Sequence, residues 1–284
     1  MPATSSAARP AKKRPSQSSA TPEDGSGMRI VMAWVRGLRL VIHLMVGLLQ
    51  AAAINLDFTH SLNGQRAMHW WTGVLLEILN IRLVVRGEPL EGARLTVANH
   101  VSWLDIPLIG ACEPTRFLSK SEIANWPIAG WLANACGTFY IRRGKGGARP
   151  LLDKLVPHLR RGGSIVVFPE GTTGDGHEVL PFYSRLFAAA TESGSPVQPL
   201  AIRYGRAADG SNVAPFVGDD DLVSHILRLL KTPELVAEVT YCAPIYPRGL
   251  DRDQVCQAAY LAIAAVVVPA QTIEEAPRDQ PLPV

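Results

Sequence analysis

A chain of 284 residues can bury one sizeable core or two small ones. With 47% hydrophobic and only 19% charged residues it leans apolar for a soluble protein, and a net charge of +3 offers no electrostatic footprint for nucleic acid. The four scattered cysteines (Cys112, Cys136, Cys242 and Cys256) form no C-x-x-C pair, which argues against a zinc site and a secreted disulfide framework and fits a reducing compartment.

Residues 1–27 are rich in Ser, Ala and Pro around Lys12-Lys13-Arg14. Nothing in them could bury a face, so they read as a disordered basic tail without the apolar run of a secretory signal. Over 28–80 the character changes to a membrane-associated helical segment. Leu40 to Leu56, bounded by Arg39 and Asp57, carries no charge. It lies at the lower edge of the ~20 residues a spanning helix needs. His43, Gln50 and Asn55 weaken a clean span, while Trp34, Arg36 and Arg39 suit a helix anchored at a membrane interface. Met68 to Leu79, with Trp70-Trp71, is too short to span. It is expected to lie at the interface as the return arm of a docking hairpin, with a core helix as the alternative.

From Ile81 short β-rich runs alternate with helical stretches. Strands are predicted over Arg82–Val85, Leu95–Ala98, Arg116–Leu118, Thr138–Ile141, Ile165–Phe168, Val197–Tyr204 and Ala237–Tyr241. Helices are predicted over Leu104–Ala111, Ile128–Ala135, Pro150–Arg160, Tyr183–Glu192, Leu222–Leu230 and Asp253–Val267. The alternation predicts an α/β domain over 81–268 with a largely parallel central sheet and flanking helices, its function gathered at the carboxyl ends of the strands. Residues 269–284 are Pro-rich and read as a second disordered tail.

Four stretches carry candidate chemistry. Thr96 to Asp105 reads as an apolar strand ending in Asn99-His100, then a turn into a helix. Asp105, in the first helical turn, could accept a hydrogen bond from one ring nitrogen of His100 and hold the other as a base. An isolated His-x4-Asp is equally what a surface loop with a capping carboxylate shows. Gly137 to Arg143 ends in a pair of arginines before a glycine-rich turn that lacks the Walker spacing. Arginine's planar fork suits an anionic headgroup, although a solvated strand end looks the same. In Ile165 to Gly174, Glu170 directly follows a buried strand, where a carboxylate is costly unless it binds something. Gly171 would let a ligand approach closely, and its N–H or that of Thr172 could face a developing oxyanion. An ordinary turn with an exposed Glu is the alternative. In Val197 to Ile202, Pro199 suits an edge strand or a bulge better than a central strand.

Together these stretches resemble the glycerolipid acyltransferase family of the lysophosphatidic acid acyltransferase type. That family carries N-H-x4-D, G-x-x-F-I-x-R, F-P-E-G-T and V-x-P-[VIL] blocks in this order, matched here by Asn99-His100 to Asp105, Gly137 to Arg143, Phe168 to Thr172 and Val197 to Leu200. The resemblance covers about 80–205. Tyr140 stands where the second block usually has Phe, and Thr173 where many phosphatidate-forming members have Arg. The form Phe168 to Gly176 is similar to that of bacterial lyso-ornithine lipid acyltransferases. The resemblance implies acyl transfer from a thioester of acyl carrier protein or coenzyme A to the hydroxyl of a lyso-lipid, with neither metal nor cofactor. His100 and Asp105 would be catalytic, and Asn99, Arg143, Glu170, Gly171, Thr172 and Thr173 substrate-binding. It further implies contact with membrane lipids at the bacterial inner membrane, with the site on the cytoplasmic face. The lack of a guanidinium fork at Thr173 favours lyso-ornithine lipid as acceptor. Lysophosphatidic acid is the alternative, with a thioester hydrolase or a non-catalytic membrane-binding protein beyond it.

Overall fold

The structure, a computed structural model, describes residues 24–57, 62–141, 149–207 and 210–268. The expected tail over 269–284 lies outside the described residues, and of the tail over 1–27 only 24–27 are described, as the start of the first helix. Helix α1 (Asp24–Asn55) begins a turn earlier than expected, and α2 (Gly64–Leu79) follows it. Then come β1 (Ile81–Arg86), β2 (Arg94–Ala98), α3 (Asp105–Cys112), β3 (Leu118–Lys120), α4 (Ala129–Ala135), β4 (Phe139–Ile141) and α5 (Arg149–Arg160). Finally β5 (Ser164–Val167), α6 (Ala188–Ser193), β6 (Val197–Tyr204), α7 (Leu222–Lys231), β7 (Leu235–Tyr241) and α8 (Arg252–Val267) complete the domain. The helix expected over Tyr183–Glu192 is split: a 3-10 turn, Ser184–Phe187, leads into α6.

The central sheet has the order β1-β7-β6-β2-β5. β2 pairs in parallel with both β5 and β6, and β1 in parallel with β7, while the β6/β7 ladder is antiparallel. β3 and β4 form a small parallel pair, tied to β5 through the Phe117–Val166 bridge. β2 is buried at every residue, Arg94 and Thr96 included, because helices cover both faces. Its alternation sends Leu95 and Val97 into the core beneath α5, α6 and α8, and Ala98 into the core beneath α2, α3 and α7.

Of the two settings expected for Pro199, the structure has the bulge, since β6 is interior to the sheet and not an edge. Between the Leu200–Tyr241 pair and the isolated Val197–Ile245 bridge, the opposing segment carries one more residue than β6. Pro199 sits in that irregularity, where its carbonyl accepts the Cys242 N–H at 2.9 Å. A bulge is how an interior strand tolerates a residue that cannot donate.

The α1–α2 hairpin is built from reciprocal contacts. The indole N–H of Trp71 donates to the His43 carbonyl at 3.1 Å, His43 Nε2 lies 2.8 Å from the Trp71 carbonyl, and the rings stack at 4.8 Å. Gly47 allows this approach, because a Cβ there would fall 2.5 Å from the indole nitrogen. His43 therefore faces protein, leaving an outer face of α1 with Leu38, Ile42, Met45 and Leu49 exposed. Two expectations change. Arg36 does not face outward: its guanidinium donates to the carbonyls of Leu230, Thr232 (2.7 Å) and Pro233, capping the carboxyl end of α7. α2 is largely a core helix, with Met68, Leu75, Leu76, Ile78 and Leu79 buried and Trp70 exposed.

Candidate active site

The site forms where β2, β5 and β6 end side by side. β2 lies between the other two, so the loops after β5 and β6 close on the residues that follow it from either side. His100 and Asp105 meet as the local spacing suggested. His100 Nδ1 lies 2.7 Å from Asp105 Oδ2, which also accepts the N–H groups of Val101 (2.7 Å) and Ser102 (3.0 Å). The hydroxyl of Tyr204 donates to the other oxygen at 2.6 Å. Asp105 is fully buried, so these donors replace the water it has lost. A carboxylate accepts only, which makes His100 Nδ1 the donor and leaves Nε2 with its lone pair. The His100 side chain is 19% exposed against 0% for Asp105, so a substrate can reach the ring but not the carboxylate. Phe168 holds the imidazole from below, with ring centroids 4.1 Å apart and planes 18° from parallel.

Tyr204 is the residue that sequence reading missed. It ends β6, four residues beyond the last recognised block, and only the β2/β6 register brings it to Asp105. Burial first, and then the Asp105 charge and hydrogen bond, raise its phenol well above the ordinary value, so it stays a donor. Asn99 clamps the same two strands. It is buried, donates to the Ile202 carbonyl at 3.0 Å and accepts the Ile202 N–H at 2.8 Å, so its amide faces β6 and not a cleft.

The loop after β5 also turns inward. Glu170 is buried and accepts the His100 N–H at 3.1 Å, and Gly174 N–H donates to the His100 carbonyl at 2.8 Å. Gly171 adopts φ +68°, and its N–H closes the turn onto the Phe168 carbonyl at 3.1 Å, which takes it away from an oxyanion. Thr172 is the exposed residue of the turn, and its N–H makes no hydrogen bond among the described residues. Thr173 donates its hydroxyl to the Phe216 carbonyl at 2.5 Å. Phe216 N–H in turn reaches the Val101 carbonyl at 3.0 Å, so the 213–217 segment is laced to both motif loops. His225 braces that segment: its Nδ1 accepts the Trp103 indole N–H at 2.8 Å, and Nε2 therefore donates to the Val213 carbonyl at 2.9 Å. Arg143, expected to bind an anion, lies outside the described residues. Among the described residues no three His, Cys, Asp or Glu side chains gather as metal ligands.

Burial pushes the Glu170 carboxyl up to about 9, with the Asp105 charge adding to the rise and the His100 and Leu180 N–H groups opposing it. Between pH 4.5, the ordinary value, and about 9, the folded chain holds a proton that the unfolded chain has released. The stabilisation is full below that window and is lost as pH rises through it. Glu170→Gln is neutral at every pH and should remove this decline. Its melting temperature relative to the parent should climb between pH 5 and pH 8.5, by roughly 2–4 °C per kcal/mol for a chain of this size. The same offset at both pH values would show that Glu170 is not held neutral.

A family model described as Acyltransferase matches residues 82–203. A lyso-ornithine lipid O-acyltransferase of Pseudomonas aeruginosa is 45% identical over 212 residues, covering 73% of this chain and 82% of that protein. One from Rhodobacter capsulatus is 35% identical over 245 residues, covering 79% and 87%. A 1-acyl-sn-glycerol-3-phosphate acyltransferase of Neisseria gonorrhoeae is 33% identical over 148 residues, covering 52% and 58%. The fold is similar to the crystal structure of the 1-acyl-sn-glycerophosphate acyltransferase of Thermotoga maritima, with a TM-score of 0.61 at 19% identity over 84% of this chain and 96% of that one.

Proposed function

The chain belongs to the acyltransferase family and is an O-acyltransferase of lipid biosynthesis, and we propose that it moves a fatty acyl group from an acyl carrier protein or coenzyme A thioester to the hydroxyl of lyso-ornithine lipid. The observation that carries the chemistry is the 2.7 Å bond from His100 to a buried carboxylate, with Nε2 left open. In the proposed reaction Nε2 takes the acceptor's hydroxyl proton as its oxygen bonds to the thioester carbonyl. The tetrahedral oxyanion is met by the Thr172 N–H. Collapse breaks the carbon–sulfur bond, and the imidazolium returns the proton to the departing thiolate. Asp105 and Tyr204 orient the ring, Asn99 and Glu170 hold the backbone around it, and Gly171 shapes the turn. Arg143 is assigned to binding an anionic group of the substrates.

Two observations support the aminolipid acceptor. Relatives with that name align over most of their length, and Thr173 brings no positive charge to the motif loop. Purified enzyme with one acyl donor should show a higher kcat/KM for lyso-ornithine lipid than for lysophosphatidic acid, by roughly tenfold if one charge-assisted contact separates the two. The reverse preference would replace this acceptor with lysophosphatidic acid.

The enzyme is proposed to work at the bacterial inner membrane from the cytoplasmic face. Ile30–Asn55, within α1, is long and apolar enough to cross a bilayer, with a mean hydropathy of 1.8 and only 22% of its apolar 18-residue stretch buried. Trp126, Ile128 and Trp131 are exposed at the adjoining α4 and extend the apolar face. Replacing Leu38, Ile42, Met45 and Leu49 together with Ser should release the protein from inner-membrane vesicles without unfolding the domain. Unchanged sedimentation with vesicles would refute docking through this face.

A further inference from the structure

We propose that the cleft beside the His100–Asp105 pair is a subsite for a zwitterionic headgroup, in which Arg206 takes a carboxylate and Asp175 an ammonium. The inference rests on the acceptor reading above and assigns residues to it that lie outside all four sequence blocks or at their margin. The cleft has a volume of about 90 Å³ and is lined by Val101, Asp175, His177, Tyr204, Arg206 and Asn212 among others. That is room for a small polar group. Val101 follows His100 directly and donates its N–H to the Asp105 carboxylate, and Tyr204 bonds the other oxygen, so two residues of the cleft wall touch the catalytic pair. A headgroup held there belongs to the same molecule as the reacting hydroxyl.

Both charges come from loops that the topology forces together. Asp175 lies on the loop after β5 and Arg206 just beyond the end of β6, the two strands flanking β2. They line one cleft without forming an ion pair with each other. Opposite charges that face a common space but do not meet leave the space between them for a ligand carrying the complementary pair. Asp175 is held in place by accepting the His177 N–H at 2.9 Å, an Asx turn that fixes one carboxylate oxygen and leaves the other to a ligand. Arg206 donates through Nη1 to the Gly210 carbonyl at 3.1 Å, and its fork has further donors suited to a carboxylate. An ornithine acylated on its α-amine keeps one carboxylate and one side-chain ammonium, the two charges this cleft complements. A phosphomonoester carries only negative charge, and Asp175 would repel it. The residue therefore discriminates as well as binds.

The test measures kcat/KM for lyso-ornithine lipid and for the same lipid with its side-chain amine acetylated, which removes the ammonium and keeps the carboxylate. Asp175→Asn retains the oxygen that accepts the His177 N–H, so the loop keeps its turn. It should lose roughly tenfold on the parent lipid and less than about twofold on the acetylated one. Arg206→Gln should lose roughly tenfold on both, since both keep the carboxylate. If Asp175→Asn loses equally on the two lipids, or not at all, the subsite is wrong while the acceptor reading stands. A wild-type enzyme that acylates lysophosphatidic acid and ignores lyso-ornithine lipid overturns the acceptor reading and the subsite with it, before any variant is made.

Discussion

Replacing His100 with Ala is expected to lower acyl transfer by roughly 10²–10⁴-fold, the usual loss when a general base is removed. The effect should fall on chemistry and not on folding. Asp105 would keep the N–H groups of Val101 and Ser102 on one oxygen and the Tyr204 hydroxyl on the other, so no buried charge is stranded. Phe168 would lose the ring stacked on it, a partly exposed contact that costs little in stability. The measurement is single-turnover transfer by the purified variant, with free fatty acid followed in the same assay. Near-normal transfer would remove His100 from the mechanism. Wild-type release of free fatty acid that does not depend on a lyso-lipid would mark the enzyme as a thioester hydrolase.

Asp105→Asn should be comparably severe, on the order of 10³–10⁴-fold, although the side chain keeps its shape. The carboxylate can only accept, and it fixes His100 with the proton on Nδ1. With its carbonyl oxygen on the Val101 and Ser102 N–H groups, the asparagine would present its amide NH₂ toward Tyr204 and lose the charge that stabilises an imidazolium. With the amide reversed, the NH₂ would donate to Nδ1, drive the proton to Nε2 and abolish the base. Either orientation fails. Tyr204→Phe offers a graded comparison, because it removes one of the donors and leaves the His100–Asp105 bond in place. It should weaken catalysis far less than Asp105→Asn. If Asp105→Asn retained more activity than Tyr204→Phe, the orienting role would belong to the tyrosine.

Features that depend on neighbours along the chain were legible in the sequence. His100 and Asp105 are five residues apart, and the turn between them is local, so their meeting could be read from spacing. The α/β alternation and the buried run of β5 were readable for the same reason: burial on both faces leaves a continuous apolar stretch, here Ile165 to Val167. The apolar character of α1 was also plain, since it lies in composition.

Whatever depended on strand register or on which face of an element is covered was decided only by the tertiary structure. Tyr204 reaches Asp105, and Asn99 reaches Ile202, because β6 lies beside β2 in one particular register, and no local pattern encodes a partner a hundred residues away. Pro199 suited an edge or a bulge equally, and only the packed sheet decided for an irregularity on the opposing segment inside it. Arg36 and α2 looked like membrane-facing features, but the carboxyl end of α7 claims the arginine and the core claims the helix. Glu170 and Thr173 were singled out as substrate-binding positions, and their side chains point inward to the His100 backbone and the 213–217 segment. Composition and short spacings determine which elements form and which groups can do chemistry. Long-range packing alone decides which of those groups face a substrate, because a side chain's direction is set by neighbours that the local sequence does not name.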